Sequence, residues 1–268
     1  MAVDQSFIIK KLHNLEEFYV LFSQVTRMPF VTCDQETFND QAWIFENEKK
    51  VQEAAKQYTD KKIPLMGVKV MKASAPMFFM NLHALGINEV VFGTGEEEHH
   101  LELSAVAPMP DYNTIPEKQR PLLNPQLLLT AVYFLQELRR PGVEPNKKLL
   151  HELEEEMSSN LAKSEYLMPV SVVQEGEDKG KVRIPFVQNK QGEKYQPIFS
   201  DTGEVIKHYH SSKDRHSILK VPFSKLEDYL IKDSVGFLLN PEGIALAMKR
   251  EQMKVLKDYF CEKPKTEE

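Results

Sequence analysis

The chain has 268 residues, of which 41% are hydrophobic and 28% charged, a composition typical of a globular protein with a sizeable core. Its net charge of −6 argues against nucleic acid and anionic membranes as partners, because both attract basic surfaces. Cys33 and Cys261 lie far apart, and residues 1–7 lack the apolar run of a secretory signal. We therefore expect a cytoplasmic protein without disulfides.

Apolar side chains recur three and four positions apart over residues 4–26, a spacing that predicts an amphipathic helix. Further along, short apolar runs predict strands over residues 28–33, 42–45, 63–70 and 89–92. Helix-forming residues predict helices over residues 46–58 and 74–85, the second with Pro76 in its first turn. The first third of the chain thus alternates strands and helices.

A Pro-rich connector over residues 107–120 precedes a predicted helix over residues 124–138, with Asn124 as its cap. The apolar side chains of this helix cover most of its circumference, which indicates burial on several sides. We expect it either to pack between two modules or to form a dimer contact. Another amphipathic helix is predicted over residues 146–163.

The second half repeats the alternation, with predicted strands over residues 166–173, 181–187, 195–199, 217–221 and 235–239. Helices are predicted over residues 201–209 and 223–230, capped by Asp201 and Ser224. A closing helix over residues 249–260 precedes a tail, residues 261–268, that we expect to be disordered.

Several motifs of this half occur in a recognisable order. They are a Leu-Met-Pro-Val strand from Leu167, an Ile-Phe-Ser-Asp segment ending at Asp201, a Val-Pro-Phe step from Val221, and a strand running into Asn-Pro-Glu-Gly at Gly243. The ordered set resembles the SseB family, named for enhanced serine sensitivity, and in particular its N-terminal domain. The resemblance is clearest over residues 164–253. It implies no catalytic residues, and the molecular role of the family is poorly defined.

The first half resembles a degenerate copy of this domain, over residues 14–105. Residues 43–45 align with 197–199, and residues 90–95 align with 237–243. Two registers stay open for the segment at Met28, which aligns either with Met168 or, as part of residues 27–31, with residues 183–187. The order of units indicates an internal duplication.

The predicted fold class is α/β (α+β), with two similar modules that each contain a small mixed sheet with helices packed on it. An apolar helix is expected to join them. The predicted boundaries are residues 1–106 for the first module, 107–145 for the connector and helix, and 146–260 for the SseB-like domain.

Two turns follow corresponding apolar strands, and ligands in open α/β sheets often bind beyond the carboxyl ends of strands. Gly93, Gly95, Asn240, Glu242 and Gly243 are therefore predicted to form a candidate binding edge. The alternative interpretation is that these residues only form turns between elements.

Metal-ligand residue types occur over residues 96–100 and at His208, His210 and His216. Adjacent histidines on a strand point to opposite faces, and a helix separates the side chains of His208 and His210. We therefore predict no metal site, no cofactor and no catalytic residues.

The leading functional hypothesis is a non-catalytic binding or regulatory protein that acts through protein contacts, with a homodimer as one form of contact. A metal-dependent hydrolase using the histidines and carboxylates is the first alternative. An amino-acid sensor, suggested by the family name alone, is the second.

Overall fold

The computed structural model describes residues 5–144, 146–172, 182–210 and 216–261. Its contacts divide the chain into two compact units. Unit 1 comprises Met1–Arg120 with Leu128–Leu153, and unit 2 comprises Pro121–Leu127 with Glu154–Glu268. Helices and mixed sheets occur in both units, which confirms the predicted α/β class.

Unit 1 contains one mixed sheet. Its strands are β1 (Glu17–Ser23), β2 (Met28–Pro29), β3 (Val31–Cys33), β4 (Asp40–Phe45), β5 (Leu65–Met71), β6 (Glu89–Thr94) and β7 (Glu97–Glu102). The order is β2-β1-β4-β6-β7, with β5 paired to β1 and β3 paired to β4. Strands β4 and β6 are parallel, and the other pairs are antiparallel.

The helices of the first part of the chain are α1 (Gln5–Asn14), α2 (Glu48–Gln57), α3 (Ala75–Ala84) and α4 (Leu103–Val106). Two longer helices follow, α5 (Pro125–Leu138) and α6 (Lys147–Lys163). Within unit 1, the side chains of Ala131, Val132 and Leu135 of α5 are buried. The Gln136 amide exchanges two hydrogen bonds of 3.0 Å with the backbone of Val31, so α5 covers the open side of β3.

Unit 2 contains β8 (Glu165–Val172), β9 (Val182–Arg183), β10 (Val187–Gln188), β11 (Lys194–Ile198), β12 (Ser217–Pro222), β13 (Gly236–Leu239) and β14 (Leu246–Lys249). Its further helices are α7 (Thr202–Tyr209), α8 (Phe223–Leu226) and α9 (Arg250–Phe260). One sheet has the order β10-β11-β13-β14 and the other β12-β8-β9. A bridge between Leu167 and Phe199 links them, and β11 and β13 are parallel.

The prediction of one helix over residues 4–26 is wrong, because α1 ends at Asn14 and β1 begins at Glu17. The side chains from Phe18 to Leu21 are all buried, since both faces of this strand are covered. The Phe18 ring stacks on that of Phe79 at 5.7 Å, whereas Tyr19 and Leu21 belong to a core cluster with Val51 of α2. A continuous apolar run is what a strand buried on both faces requires.

Smaller corrections also have physical reasons. Residues 28–33 and 181–187 each divide into two short strands, because β2 and β9 pair with β1 and β8 while β3 and β10 pair with β4 and β11. Ser224 is not a cap, because α8 begins at Phe223, whose N–H donates to the Ser164 carbonyl at 3.0 Å. No strand is predicted at β14, and at β7 a strand is expected only through the argument that adjacent histidines of residues 96–100 point to opposite faces. The predicted tail lies, after Cys261, outside the described residues.

Candidate functional site

Gly93 of the predicted binding edge lies at the end of β6, beside Phe45 at the end of β4. A Cβ atom at Gly93 would lie 2.8 Å from Cδ1 of the Phe45 ring, so any side chain would displace that ring. Gly95 adopts φ 56°, in the left-handed region that favours glycine, and its N–H donates to the Glu46 carboxylate at 2.8 Å. Both glycines therefore shape the end of the parallel strand pair.

Next to these glycines is a pocket of about 250 Å³, which we call the Gly93 pocket. Trp43 and Phe45 lie at its floor, and Tyr58 at the end of α2 forms part of one wall. The Trp43 indole N–H donates to the Thr32 hydroxyl at 2.8 Å, which holds the ring in place. The pocket is therefore preformed by strand pairing and by a fixed aromatic ring.

Charged side chains surround the Gly93 pocket. Lys50 Nζ lies 2.9 Å from Glu96 and 3.6 Å from Glu53. The hydrogen bond to Glu96 raises the pKa of Lys50, and the same bond lowers the pKa of Glu96. Burial raises the pKa of the Tyr58 hydroxyl, and the negative charge of Glu98 raises it further. The walls of the pocket thus contain one lysine, which is already paired, and more carboxylates than ammonium groups.

The corresponding turn in unit 2 begins at Asn240, which adopts φ 48° and is buried. Its side-chain oxygen accepts from the Ser200 N–H at 2.9 Å, and its amide donates to the Ser200 hydroxyl at 2.8 Å. That hydroxyl donates to Asp201 at 2.6 Å, and Asp201 in turn accepts from the Glu204 N–H at 3.0 Å. Asn240 thus ties β13 to the N-terminus of α7.

Glu242 and Gly243 complete this turn. The Glu242 carboxylate is exposed and lies 3.5 Å from Nδ1 of His208, within ion-pair distance but outside hydrogen-bond geometry. At Gly243, a Cβ atom would lie 2.6 Å from Oε2 of Glu204, so the glycine makes room for that carboxyl group. Burial raises the pKa of Glu204, and the nearby Lys207 ammonium counteracts this effect.

The histidine clusters do not converge. On β7, Nε2 of His99 lies 3.0 Å from the Thr94 hydroxyl, whereas His100 on the opposite face contacts the buried Glu89 carboxylate. The ring of His216 lies 4.6 Å from that of Tyr209, within an aromatic group rather than a ligand set. Among residues 5–144, 146–172, 182–210 and 216–261, no group of three His, Cys, Asp or Glu side chains could hold a metal ion.

The structure therefore places Gly93 and Gly95 together at a pocket in unit 1, and Asn240, Glu242 and Gly243 together at a turn in unit 2. The binding edge predicted from the sequence does not include Trp43, Tyr58 and Glu98, which lie beside these glycines. A signal existed in β7, where the carboxylate of Glu98 lies on the same sheet face as its partner Gly93. Using that signal required knowing that residues 97–102 form a strand.

In each unit, a β-strand that is followed by a helix pairs in parallel with a second β-strand. This arrangement places both units in the class of small α/β modules. A family model described as SseB protein N-terminal domain matches residues 147–254, which confirms the resemblance to the SseB family. The match runs from the start of α6 to the first turn of α9, and it therefore contains the last residues of unit 1 and unit 2 from Glu154 to residue 254.

Two solved structures give low-scoring matches to the whole chain. Tic22 from Plasmodium falciparum has 11% identity and a TM-score of 0.22, over 94% of this chain and 96% of that chain. Anabaena Tic22 (protein transport) has 10% identity and a TM-score of 0.23, over 98% and 100%. TM-scores of this size do not establish a common fold. No curated protein matches the sequence.

Among the described residues, none of the helices combines the length and apolarity needed to cross a bilayer.

Proposed function

We propose that this chain is a non-catalytic cytoplasmic binding protein of SseB-like type that acts through protein contacts at the β12 edge. One observation carries the proposal. Strand β12 pairs with β8 along one side, and no other strand of the described residues pairs with it. Ile218 is 40% exposed and Leu219 is 36% exposed, on opposite faces of this strand. An unpaired edge with apolar side chains is a template for a strand from another protein.

The flanking residues limit how such a strand could pair. Pro222 ends β12 and has no N–H to donate, so the edge closes at that point. Lys220 Nζ lies 2.6 Å from the Glu165 carboxylate of the neighbouring strand, which keeps a charge near the middle of the edge. Both features discourage unspecific aggregation, while Ser217–Leu219 stay open to one extended partner segment.

The β5 edge of unit 1 has the same character. Strand β5 pairs with β1, and Met66 and Met71 are 47% and 50% exposed. Lys69 Nζ lies 2.9 Å from Glu17 on β1, as Lys220 lies near Glu165 on β8. The likeness between the two edges supports the view that an unpaired edge with exposed apolar side chains belongs to the module itself and is not a peculiarity of the β12 sequence.

We also propose that the two units are copies produced by internal duplication. The pairing order supports it, since β1, β4, β5, β6 and β7 pair among themselves as β8, β11, β12, β13 and β14 do. Met28 lies in β2, which pairs with β1, whereas Met168 lies in β8. Because β8 has the pairing position of β1 and not that of β2, Met28 and Met168 do not occupy matching strands. The pairing thus favours the register that aligns residues 27–31 with 183–187.

The test uses the full chain with an affinity tag, and compares the wild type with Ile218→Lys. A charge at the centre of the edge should reduce the recovery of specific partners about tenfold, because an incoming strand would bury it. Val255→Lys is the matched control, since Val255 is 66% exposed on α9 and introduces the same charge outside the edge.

Backbone hydrogen exchange on the purified complex gives the direct reading. Strand addition should slow the exchange of amides in β12, whereas contact elsewhere should leave them unchanged. The proposal fails if Ile218→Lys and Val255→Lys retain the same partners, or if the β12 amides gain no protection. A homodimer that Ile218→Lys dissociates would identify a second copy of this chain as the partner. Nothing in the described contacts favours the hydrolase or the amino-acid sensor.

A further inference from the structure

The Gly93 pocket combines aromatic and acidic residues, a combination that the turn around it does not require. Its floor is aromatic, with Trp43 and Phe45 beside the bare backbone of Gly93. The charged residues lining it are Glu53, Glu96, Glu97, Glu98 and Lys50. Glu97 pairs with Thr94, which directs its carboxylate to the other sheet face, so three carboxylates against one ammonium group leave a net charge of −2 around an apolar floor.

Most of these charges already have partners. Lys50 contacts Glu96 and Glu53, and the Glu97 carboxylate lies 3.6 Å from His99. Glu98 is different, because it has no ion-pair partner among the described residues. Its pairing with Gly93 directs its side chain to the sheet face that carries the pocket, and its charge reaches the hydroxyl of Tyr58.

We propose that the Gly93 pocket binds an arginine side chain of a partner protein. A guanidinium group stacks flat on aromatic rings and forms two parallel hydrogen bonds with a carboxylate, so it matches both the floor and Glu98. Within the chain, Lys61 Nζ already lies 5.4 Å from the centroid of the Tyr58 ring, an intramolecular case of the same attraction.

The size of the pocket selects one side chain rather than a whole ligand. Its volume of about 250 Å³ lies below the ~300–1,000 Å³ that encloses drug-sized molecules. A lysine ammonium would satisfy Glu98 but could not stack on Trp43 as a planar group. The proposal does not depend on strand addition at β12, so the failure of either leaves the other intact.

Trp43 is the single tryptophan of the chain and reports directly on this pocket. The full chain is titrated at low salt with a blocked pentapeptide that has arginine at its centre, while the emission of Trp43 is followed. The same peptide with citrulline is the matched neutral probe. We expect a saturable change with the arginine peptide and at least a fivefold weaker response with citrulline.

Glu98→Gln should weaken binding of the arginine peptide about fivefold, because it removes the charge but keeps the shape of the side chain. Glu102→Gln is the control, since Glu102 is an exposed residue of the same strand that does not line the pocket. Thermal unfolding of both variants verifies that each is folded.

Three outcomes would overturn the proposal. They are equal responses to the arginine and citrulline peptides, equal responses to the arginine peptide and the same peptide with lysine at its centre, and equal affinities of Glu98→Gln and Glu102→Gln for the arginine peptide. Weaker binding of the arginine peptide by Glu98→Gln but not by Glu102→Gln, together with a weaker response of the wild type to the citrulline peptide, supports it.

Discussion

The two units end their parallel strand pairs in the same way but fill the adjacent space differently. In unit 1, Gly93 has no side chain, and a pocket remains beside Phe45. In unit 2, Asn240 reaches back to the N–H and hydroxyl of Ser200 and ties the turn to α7. The same position of the fold therefore gives an open pocket in one unit and an internal polar connection in the other.

Part of the surrounding framework is shared, although unit 1 has one sheet and unit 2 has two sheets linked by a bridge between Leu167 and Phe199. Phe18 and Tyr166 are fully buried aromatic residues opposite Val70 and Val221. Asn47 and Asp201 each cap the helix that follows, by accepting a backbone N–H three residues on. At these positions the strands and caps agree, whereas the turns differ, because Gly93 has no side chain and Asn240 binds Ser200.

The largest expected effect comes from breaking the polar connection in unit 2. Asn240→Gly keeps the left-handed backbone but leaves the buried Ser200 N–H without its acceptor. We expect a loss of about 3 kcal/mol in the free energy of unfolding of unit 2, because two buried hydrogen bonds are removed. Urea unfolding combined with hydrogen exchange of the β13 and α7 amides measures this loss.

Ser200→Ala serves as the control, since its backbone N–H still donates to Asn240 while the contacts of the hydroxyl are removed. It should retain part of the stability that Asn240→Gly loses. If Asn240→Gly left unit 2 as stable as the wild type, Asn240 would be only a turn residue.

The two helix caps test whether matching positions of the two units contribute equally to the free energy of unfolding. Asn47→Ala should cost about 1 kcal/mol, the usual value for an exposed cap. Asp201→Ala should cost about 2 kcal/mol, because Asp201 also accepts a buried hydrogen bond from Ser200. The stability of each unit is measured by hydrogen exchange in α2 and α7. Equal costs would show that the Ser200 contact adds nothing.

The smallest effect concerns the pH dependence of unit 2. Because burial raises the pKa of Glu204 above its ordinary value of 4.5, the folded state binds this proton more tightly than the unfolded state. Its contribution to stability is complete below that ordinary value and is lost as pH rises through the raised pKa. Glu204→Gln removes this loss, so its melting temperature relative to the wild type should increase with pH.

By pH 8 the gain of Glu204→Gln should reach about 1–3 °C, which corresponds to less than ~1 kcal/mol for a protein of this size. Calorimetry between pH 4 and pH 8 measures the difference. Glu251→Gln is the control, because Glu251 is an exposed residue of α9 and is not among the charges that shift the pKa of Glu204. A constant difference across this pH range would contradict the raised pKa of Glu204.

Local pattern predicted much of the secondary structure. The cap of α7 and the strands β4, β6, β8 and β13 follow from turn residues and apolar runs. The spacing rule predicts a helix for the run from Phe18 to Leu21, because spacings of three and four also occur within a continuous apolar segment. Whether such a run is a strand depends on partners elsewhere in the chain.

The sequence by itself determined the α/β class, the SseB-like character of the second half and the residues that form the turns, because these depend on neighbours along the chain. Only the tertiary structure decided that Trp43, Tyr58 and Glu98 surround Gly93, and that Asn240 closes the matching position by binding Ser200. The physical reason is that a pocket is made by side chains from different strands and helices. Their approach depends on strand pairing, which local periodicity does not specify.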